Sequence, residues 1–323
     1  MTDIVALTLN PSIDISTSVE RVEPARKLRC SPPRLYPGGG GVNVARVAIR
    51  FGASVELVYP TGGSSGHLLR RLIEREGIPN LAIDLAQETR EDLTVFEEAT
   101  GAEYRFVLPG PRVSESEWRN CLEILDSLHS RPKFMVASGS LPRDVPQDFY
   151  ARVAKIARKL GAKFVLDTSG AALAPALKEG VYLLKPNLRE LNEFSGMEAA
   201  DDGAIIEASR RIIARYGIVV VVTSLGENGA LWVSADKIWR AEAPHVRVLS
   251  AVGAGDSFLG AMVSRLATEH TLEDAFRHAV AAGAAAVLTP GTALCDRADV
   301  ERLLPQVRIR NLEARELAAV SGN

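Results

Sequence analysis

Cysteine, histidine and aromatic residues are all scarce in this 323-residue chain, which has three cysteines, five histidines and 6% aromatic residues. The cysteines, Cys30, Cys121 and Cys295, are widely spaced and odd in number, which excludes a disulfide framework and a zinc-finger spacing. The histidines form no H-x-x-x-H pair, so a metal site built from imidazoles is not expected. This cysteine usage fits a reducing compartment, and we predict a cytoplasmic location.

Long apolar runs and blocks of like charge are also lacking. The longest apolar stretches, residues 218–222 and 280–288, are too short to span a bilayer, and the N-terminus turns polar at Asn10, too early for a signal peptide. The 38 basic and 40 acidic residues give a net charge of -2 without a run of like charges. We therefore expect neither a nucleic-acid partner nor a membrane partner.

Short β-rich runs alternate with segments of helical period through most of the chain. This alternation predicts an α/β fold with a mostly parallel sheet and helices on both faces, and ligands at the carboxyl ends of the strands. The predicted strands are residues 4–9, 55–59, 134–137, 164–167, 182–184 and 218–223. The predicted helices are residues 43–51, 66–76, 147–160 and 204–216.

Two stretches interrupt the alternation with strands that have no helix between them. We interpret them as a small second sheet that forms a lid, whose apolar surface favours a homodimer through the lid sheets. The final segment is polar and is predicted as a surface helix or frayed tail. The predicted units are a core of residues 1–11, 37–87 and 110–307, a β lid of residues 12–36 and 88–109, and a tail of residues 308–323.

The first motif is Val-Gly-Ala-Gly-Asp-Ser-Phe at residues 252–258, followed by apolar residues with helical spacing. Small residues before a helix allow backbone N–H groups to converge on an anion such as a transferring phosphoryl group. Asp256 could accept the proton of an attacking hydroxyl beside the N–H groups of Gly253, Ala254 and Gly255. The alternative is that Asp256 only caps the helix after a glycine turn.

The second motif is Pro-Gly-Gly-Gly-Gly-Val-Asn at residues 37–43, which opens a helix. Gly39 and Gly40 permit close approach of the backbone to a ligand, and Asn43 can both donate to and accept from hydroxyls. The pattern is not a Walker phosphate loop, and a flexible turn is the alternative.

The third motif is Lys-Pro-Asn-Leu-Arg-Glu at residues 185–190, directly after a predicted strand. Asn187 and Glu190 have the spacing of a helix capping box. The functional interpretation places Lys185 and these two side chains near a phosphate-bound Mg²⁺, which needs few protein oxygens and could be held through its outer shell.

The fourth motif is Thr-Ser-Leu-Gly-Glu-Asn-Gly at residues 223–229, between two predicted strands. Ser224, Gly226 and Gly229 could belong to an ordinary hairpin turn. They could equally wrap backbone amides around a nucleotide phosphate.

Four cations lie in the predicted lid, namely Lys27, Arg29, Arg90 and Arg105. Lys27 and Arg29 are two residues apart and would share one face of a strand. The four could clamp a substrate phosphate, or they could protect the strand edges from pairing. Asp14 at the lid hinge could hold sugar hydroxyls, or it could be a turn residue.

Together and in this order, the motifs resemble those of the ribokinase-like sugar kinases of the PfkB family. The likeness extends from residues 7–14 to residues 290–292 and includes residues 39–43 with Gly52 and Gly62, and residues 252–256. Within the family it is greatest to the minor-type bacterial 6-phosphofructokinases, on the segments 26–30, 37–41, 104–110 and 138–142.

The resemblance implies a three-layer ribokinase-like sandwich that uses ATP and Mg²⁺ to phosphorylate D-fructose 6-phosphate at its 1-hydroxyl. The alternatives are tagatose 6-phosphate or fructose 1-phosphate as substrate, or a non-catalytic sugar-phosphate sensor. Asp256 would be the base, with the anion hole at Ala254 and Gly255, and Gly253 would belong to the same catalytic motif. The sugar would be held by Asp14, Gly39, Gly40 and Asn43, and its phosphate by Lys27, Arg29, Arg90, Arg105 and Ser140. ATP and Mg²⁺ would be served by Lys185, Asn187, Glu190, Ser224, Gly226 and Gly229.

Two departures from the family pattern bear on specificity and on ions. Related 1-phosphofructokinases and tagatose-6-phosphate kinases tend to carry a lysine where this chain has Gly40. Ser250 and Ala251 stand where the family often has Asp-Thr, which leaves a K⁺ requirement open.

Overall fold

Two β-sheets organise the computed structural model, which describes residues 2–312. The strands in this range are β1 (Ile4–Leu7), β2 (Ser12–Val19), β3 (Arg34–Gly38), β4 (Val55–Thr61), β5 (Asn80–Asp84), β6 (Arg90–Glu97), β7 (Glu103–Val107), β8 (Phe134–Ser138), β9 (Lys163–Asp167), β10 (Leu183–Leu184), β11 (Val220–Ser224), β12 (Ala230–Ser234), β13 (Ile238–Glu242) and β14 (Arg308–Asn311). The helices are α1 (Gly40–Arg50), α2 (Gly63–Arg75), α3 (Glu115–Asp126), α4 (Phe149–Leu160), α5 (Leu173–Leu177), α6 (Leu188–Ser195), α7 (Asp202–Tyr216), α8 (Ala254–Ala267), α9 (Leu272–Ala286) and α10 (Arg297–Leu303).

The large sheet has the strand order β14-β13-β12-β11-β10-β9-β8-β1-β4-β5. From β11 to β5 every neighbouring pair is parallel, and β12, β13 and β14 extend the sheet in antiparallel fashion. The predicted mostly parallel sheet is therefore confirmed. Because parallel strands end at one edge, Ser138, Asp167, Lys185 and Ser224 all lie along the carboxyl edge of this sheet.

Helices cover both faces of the large sheet, as predicted. Along β1, Ile4 and Ala6 pack into one apolar core with α1, α8 and α9, whereas Val5 and Leu7 pack into a second core with α3, α4 and α7. Successive side chains on a strand point to opposite faces, so a continuous apolar run is buried on both sides. No helix among residues 2–312 is long and apolar enough to cross a membrane.

The small sheet has the order β3-β2-β6-β7 and takes its strands from the two stretches that interrupt the alternation. One detail predicted there is wrong, because residues 27–30 are irregular and form no strand. Pro24, Pro32 and Pro33 flank this segment, and proline has no N–H to donate to a ladder. Lys27 and Arg29 therefore do not share a strand face.

The predicted tail also differs from the structure. Residues 308–311 form β14, which pairs with β13, and not a helix or frayed end. Val307 is buried and Ile309 packs against the core, while Arg308 and Arg310 alternate with them toward solvent. This period of two is a strand signal. Residues 313–323 of the predicted tail lie outside the described residues.

Candidate active site

A close crossing of α1 and α8 brings the second motif to the first. A Cβ at Gly260 would lie 2.7 Å from Val47 Cβ and 2.9 Å from Val44 O, so only glycine allows the helices to approach this closely. One turn earlier on each helix, Asn43 Nδ2 donates to Asp256 Oδ2 at 2.8 Å. The crossing therefore couples the two glycine-rich motifs through one hydrogen bond.

Asp256 is not the cap of α8. Gly253 precedes the helix with φ 74°, in the left-handed region that favours glycine, and Asp256 is its third residue. The helix-cap interpretation of this aspartate is therefore wrong. The first N–H groups of α8 have no partner within the helix, and this end carries the positive end of the helix dipole.

The Asp256 carboxyl has an unusual acidity. Its pKa is raised to about 6, chiefly by burial and also by the nearby Asp167 carboxylate, while the Asn43 amide and Lys185 act in the opposite direction. A carboxylate of this pKa is mostly ionised at neutral pH and still able to take a proton.

A polar cleft of about 170 Å³ opens on the lid side of Asp256. The predicted residues that line it are Asp14, Gly39, Gly40, Asn43, Arg90, Arg105, Gly253 and Asp256. Ser12 Oγ donates to Asp14 Oδ1 at 2.7 Å, and burial raises the pKa of Asp14. The cleft can offer hydroxyls both carboxylate acceptors and amide donors.

The cations at the lid end of this cleft differ in their partners. Arg90 is paired with Asp92 at 2.9 Å and also donates to the carbonyls of Asn10 and Leu108. Arg105 forms no ion pair among residues 2–312 and is the better placed of the two to bind an anion.

The glycine run brings its backbone against the sheet. A Cβ at Gly40 would lie 2.2 Å from Ser138 Oγ, and one at Gly41 would lie 2.3 Å from Leu7 O. Side chains at these positions would displace the strand ends, so glycine is required for the close approach.

A second cleft of about 530 Å³ lies on the other side of the first motif. Its polar lining includes Lys185, Asn187, Ser224, Gly226, Gly229, Ala254 and Gly255. Its apolar lining includes Val246, Val248, Val280 and Val287. The turn after β11 is an antiparallel hairpin, as one interpretation expected, and its residues also line the cleft. Such a cleft can take a flat heterocycle at one end and phosphates at the other.

Ser138 and Asp167, which the sequence analysis did not assign to the site, complete the floor of the site. Lys185 Nζ is 3.1 Å from Asp167 Oδ1, and Ser138 Oγ donates to Asp167 Oδ2 at 3.3 Å. Burial lowers the pKa of Lys185, but the Asp167 and Glu190 carboxylates outweigh it and leave the pKa raised. The available signal was position, because Asp167 is the last residue of a predicted strand.

Four predicted residues line neither cleft. Lys27 and Arg29 are exposed and line a separate groove of about 530 Å³ in the lid. Ser140 is exposed and accepts from Asn10 Nδ2 at 3.2 Å. Glu190 forms the capping box with Asn187, with both hydrogen bonds at 2.9 Å. Within residues 2–312, no group of three or more His, Cys, Asp or Glu side chains is placed to hold a metal ion.

Because the first motif borders both clefts, a group bound in one cleft can be passed to a group bound in the other. This arrangement, on a three-layer α/β fold, defines a phosphotransferase. The chain belongs to the pfkB family of carbohydrate kinases, whose sequence model matches residues 1–299.

Individual members of the family are similar over nearly the whole chain. The ATP-dependent 6-phosphofructokinase isozyme 2 of Mycobacterium tuberculosis is 44% identical over 299 residues, which are 93% of this chain and 88% of that protein. Structures of phosphofructokinase-2 from Escherichia coli in complex with potassium and with fructose-6-phosphate match with TM-scores of 0.89 and 0.88. They are 38% and 37% identical to this chain, and each match covers 95% of this chain and 99% of the other.

Proposed function

We propose that the protein transfers the γ-phosphoryl group of ATP to the 1-hydroxyl of D-fructose 6-phosphate, giving fructose 1,6-bisphosphate and ADP. The observation that supports this most strongly is the position of the first motif between the clefts. Gly253 and Asp256 line the small polar cleft, whereas Ala254 and Gly255 line the large one. The sugar would occupy the small cleft and ATP the large one.

In this proposal Asp256 accepts the proton of the attacking hydroxyl. The N–H groups of Ala254 and Gly255, at the positive end of α8, stabilise the charge on the transferring phosphoryl group. Catalysis then depends mostly on positioning and electrostatics, as is usual for phosphoryl transfer.

The sugar ligands follow from the lining of the small cleft. Asp14, Gly39, Gly40 and Asn43 would hold hydroxyls, and Arg105, assisted by Arg90, would hold the 6-phosphate. Lys27, Arg29 and Ser140 are not carried into this proposal, because none of them lines the cleft.

The nucleotide ligands follow from the large cleft. Lys185, Asn187, Ser224, Gly226 and Gly229 would contact ATP. Mg²⁺ would neutralise charge on the phosphates. Asn187 Oδ1 and Glu190 Oε2 are already engaged in the capping box, so they fit an ion held through water and not by direct ligation.

We propose that a monovalent cation increases the activity without being a required component of the active site. The support is the potassium complex of the E. coli protein. Beside the first motif (residues 252–258), the Thr289 hydroxyl donates to Ala286 O and Leu294 O, and Ala251 has no hydroxyl. Activity in potassium should therefore exceed activity in tetramethylammonium only moderately, and a strict requirement would contradict this view.

The lid carries the surface that favours a homodimer. Its apolar residues Phe106 and Val107 are 52% and 60% exposed, and Leu35, Leu93 and Leu108 are exposed as well. Exposed apolar surface of this kind on a small sheet is typical of a protein–protein contact. We propose that two lids pair.

The choice of fructose 6-phosphate rests on the relatives' names and on Gly40. A lysine in place of Gly40, as expected for kinases of fructose 1-phosphate or tagatose 6-phosphate, would meet Ser138. ADP release with Mg-ATP should give the highest kcat/KM for fructose 6-phosphate among the three sugars. A higher value for either other sugar would overturn the substrate, and no ADP release with any of them would overturn the activity.

A further inference from the structure

Arg46 is a buried arginine that lines neither cleft, yet it connects the segments around the proposed sugar site. Arg46 lies on α1 and is only 2% exposed. Nη1 donates to Pro37 O at 3.2 Å, to Asn43 Oδ1 at 3.2 Å and to Thr292 O at 3.0 Å. Nη2 is 2.7 Å from Glu76 Oε1. Because a buried charge is unfavourable unless it is paired and hydrogen-bonded, these contacts hold the guanidinium in one position.

The contact with Asn43 determines which way that amide faces. A guanidinium only donates hydrogen bonds, so its partner on Asn43 must be the oxygen, Oδ1. The amide nitrogen is then left to face Asp256, where it donates at 2.8 Å. The opposite orientation would set two donors against each other at Arg46 and two acceptors against each other at an ionised Asp256.

We propose that Arg46 is a positioning residue that holds the Asn43 amide with its N–H toward the Asp256 carboxylate and so keeps the base ionised. The inference rests on the proposed role of Asp256 as the base. Without Arg46 the amide is free to turn, and Oδ1 can then accept a hydrogen bond from a protonated Asp256. That exchange favours the protonated and inactive base.

Other charged groups also face Asp256 and must be held constant in any test. They are Asp167 at the end of β9, Lys185 after β10 and Asp14 on β2. None of them is hydrogen-bonded to Arg46 in the structure. A change in pH dependence caused by loss of Arg46 can therefore act through Asn43 or directly through the lost charge, and an Asn43→Ala background separates the two routes.

Arg50, one turn further along α1, provides a matched control. Its Nη1 donates to Ala293 O and Cys295 O at 3.0 and 2.9 Å, and its Nη2 is 3.8 Å from Glu76 Oε2. Arg46→Met and Arg50→Met thus both remove an arginine that ties α1 to the same loop and to Glu76. Only Arg46→Met removes the contact with Asn43.

The test is the pH profile of kcat/KM for the two variants and the parent. Arg46→Met should move the acid limb upward by about one pH unit, because the ionised Asp256 loses a hydrogen bond from the amide N–H and the protonated form gains one to Oδ1. Well below the parent's midpoint kcat/KM should fall about tenfold, whereas Arg50→Met should keep the limb of the parent. In an Asn43→Ala background, Arg46→Met should produce no further movement of the limb.

Glu76→Gln loosens Arg46 without removing it, and it replaces Arg46→Met if that variant does not fold. It should move the limb upward by a smaller amount. Equal limbs in the Arg46 and Arg50 variants would show that Arg46 only supports the fold. A shift that persists with Asn43→Ala would show that the Arg46 charge acts on Asp256 directly, and this result would also overturn the proposal. Failure of the proposed function is a different result, namely full turnover by Asp256→Asn.

Discussion

Replacing Asp256 by asparagine should lower activity severely and at the same time stabilise the fold. The pKa of this carboxyl is about 6 in the folded protein against an ordinary value of 3.8, chiefly because of burial. At pH 7 the carboxylate is ionised in both the folded and the unfolded chain. The full difference between the two pKa values therefore lowers the free energy of unfolding. That difference corresponds to about 3 kcal/mol.

The figure is an upper bound, because Asp256 lines a cleft that is open to water. As pH falls through 6 toward 4, the carboxyl protonates in the folded chain and the unfavourable contribution disappears. Asp256→Asn should thus raise the melting temperature at pH 7 by at most about 4 °C, and by less at pH 5. The loss of a general base should lower kcat by about 10²- to 10⁴-fold.

Thermal melts and ADP release at both pH values measure the two effects. Asp84→Asn is the control, since Asp84 is 92% exposed and its ion pair with Arg70 should contribute little. If Asp256→Asn were no more stable than the parent at pH 7, the carboxylate would not be disfavoured by the fold. If it kept its turnover, Asp256 would not be the base.

Three further results are expected. Below pH 6, kcat/KM of the parent should fall about tenfold per pH unit as Asp256 protonates. Asp167→Asn should move this fall to lower pH, because the Asp167 carboxylate raises the pKa of Asp256. A fall that moves to higher pH would contradict this effect of Asp167. Gly41→Ala should lower the free energy of unfolding by more than about 3 kcal/mol, because its Cβ would lie 2.3 Å from the last carbonyl of β1. Gly52→Ala, in open space at φ 89°, should lower it by about 1 kcal/mol. Equal melting temperatures of the two variants would refute the packing argument. Phe106→Ser should reduce the mass measured by light scattering, because it removes exposed apolar surface from the lid, and an unchanged mass would exclude this lid contact.

The sequence predicted most of the fold, because the core strands are apolar on both faces and the helices between them have a clear period. The predicted ends of the helices and strands were less accurate. The helix predicted at residues 43–51 begins at Gly40, since glycines have low helix propensity and hid the first turn. β14 was missed because only four residues alternate, and their arginines resemble a solvated tail.

The candidate site was predicted where one motif carries both the backbone conformation and the side chain, as at Gly253 and Asp256. It was not predicted where function depends on contacts between distant segments. Asp167 and Arg46 lie in ordinary strand and helix patterns, and only the folded chain brings them to Lys185 and Asn43. Lys27 was assigned to a phosphate from its charge and from the family resemblance, and the structure places it in a separate groove of the lid.

The crossing of α1 and α8 has a consequence for how such enzymes can diverge. Asp256 and Asn43 meet through helices of the core, so their mutual placement does not require the lid to adopt any particular shape. If the proposed roles hold, β6 and β7, which carry Arg90 and Arg105, can be altered without moving Asp256 or Asn43. Substrate selectivity and proton transfer would then depend on different elements of one chain.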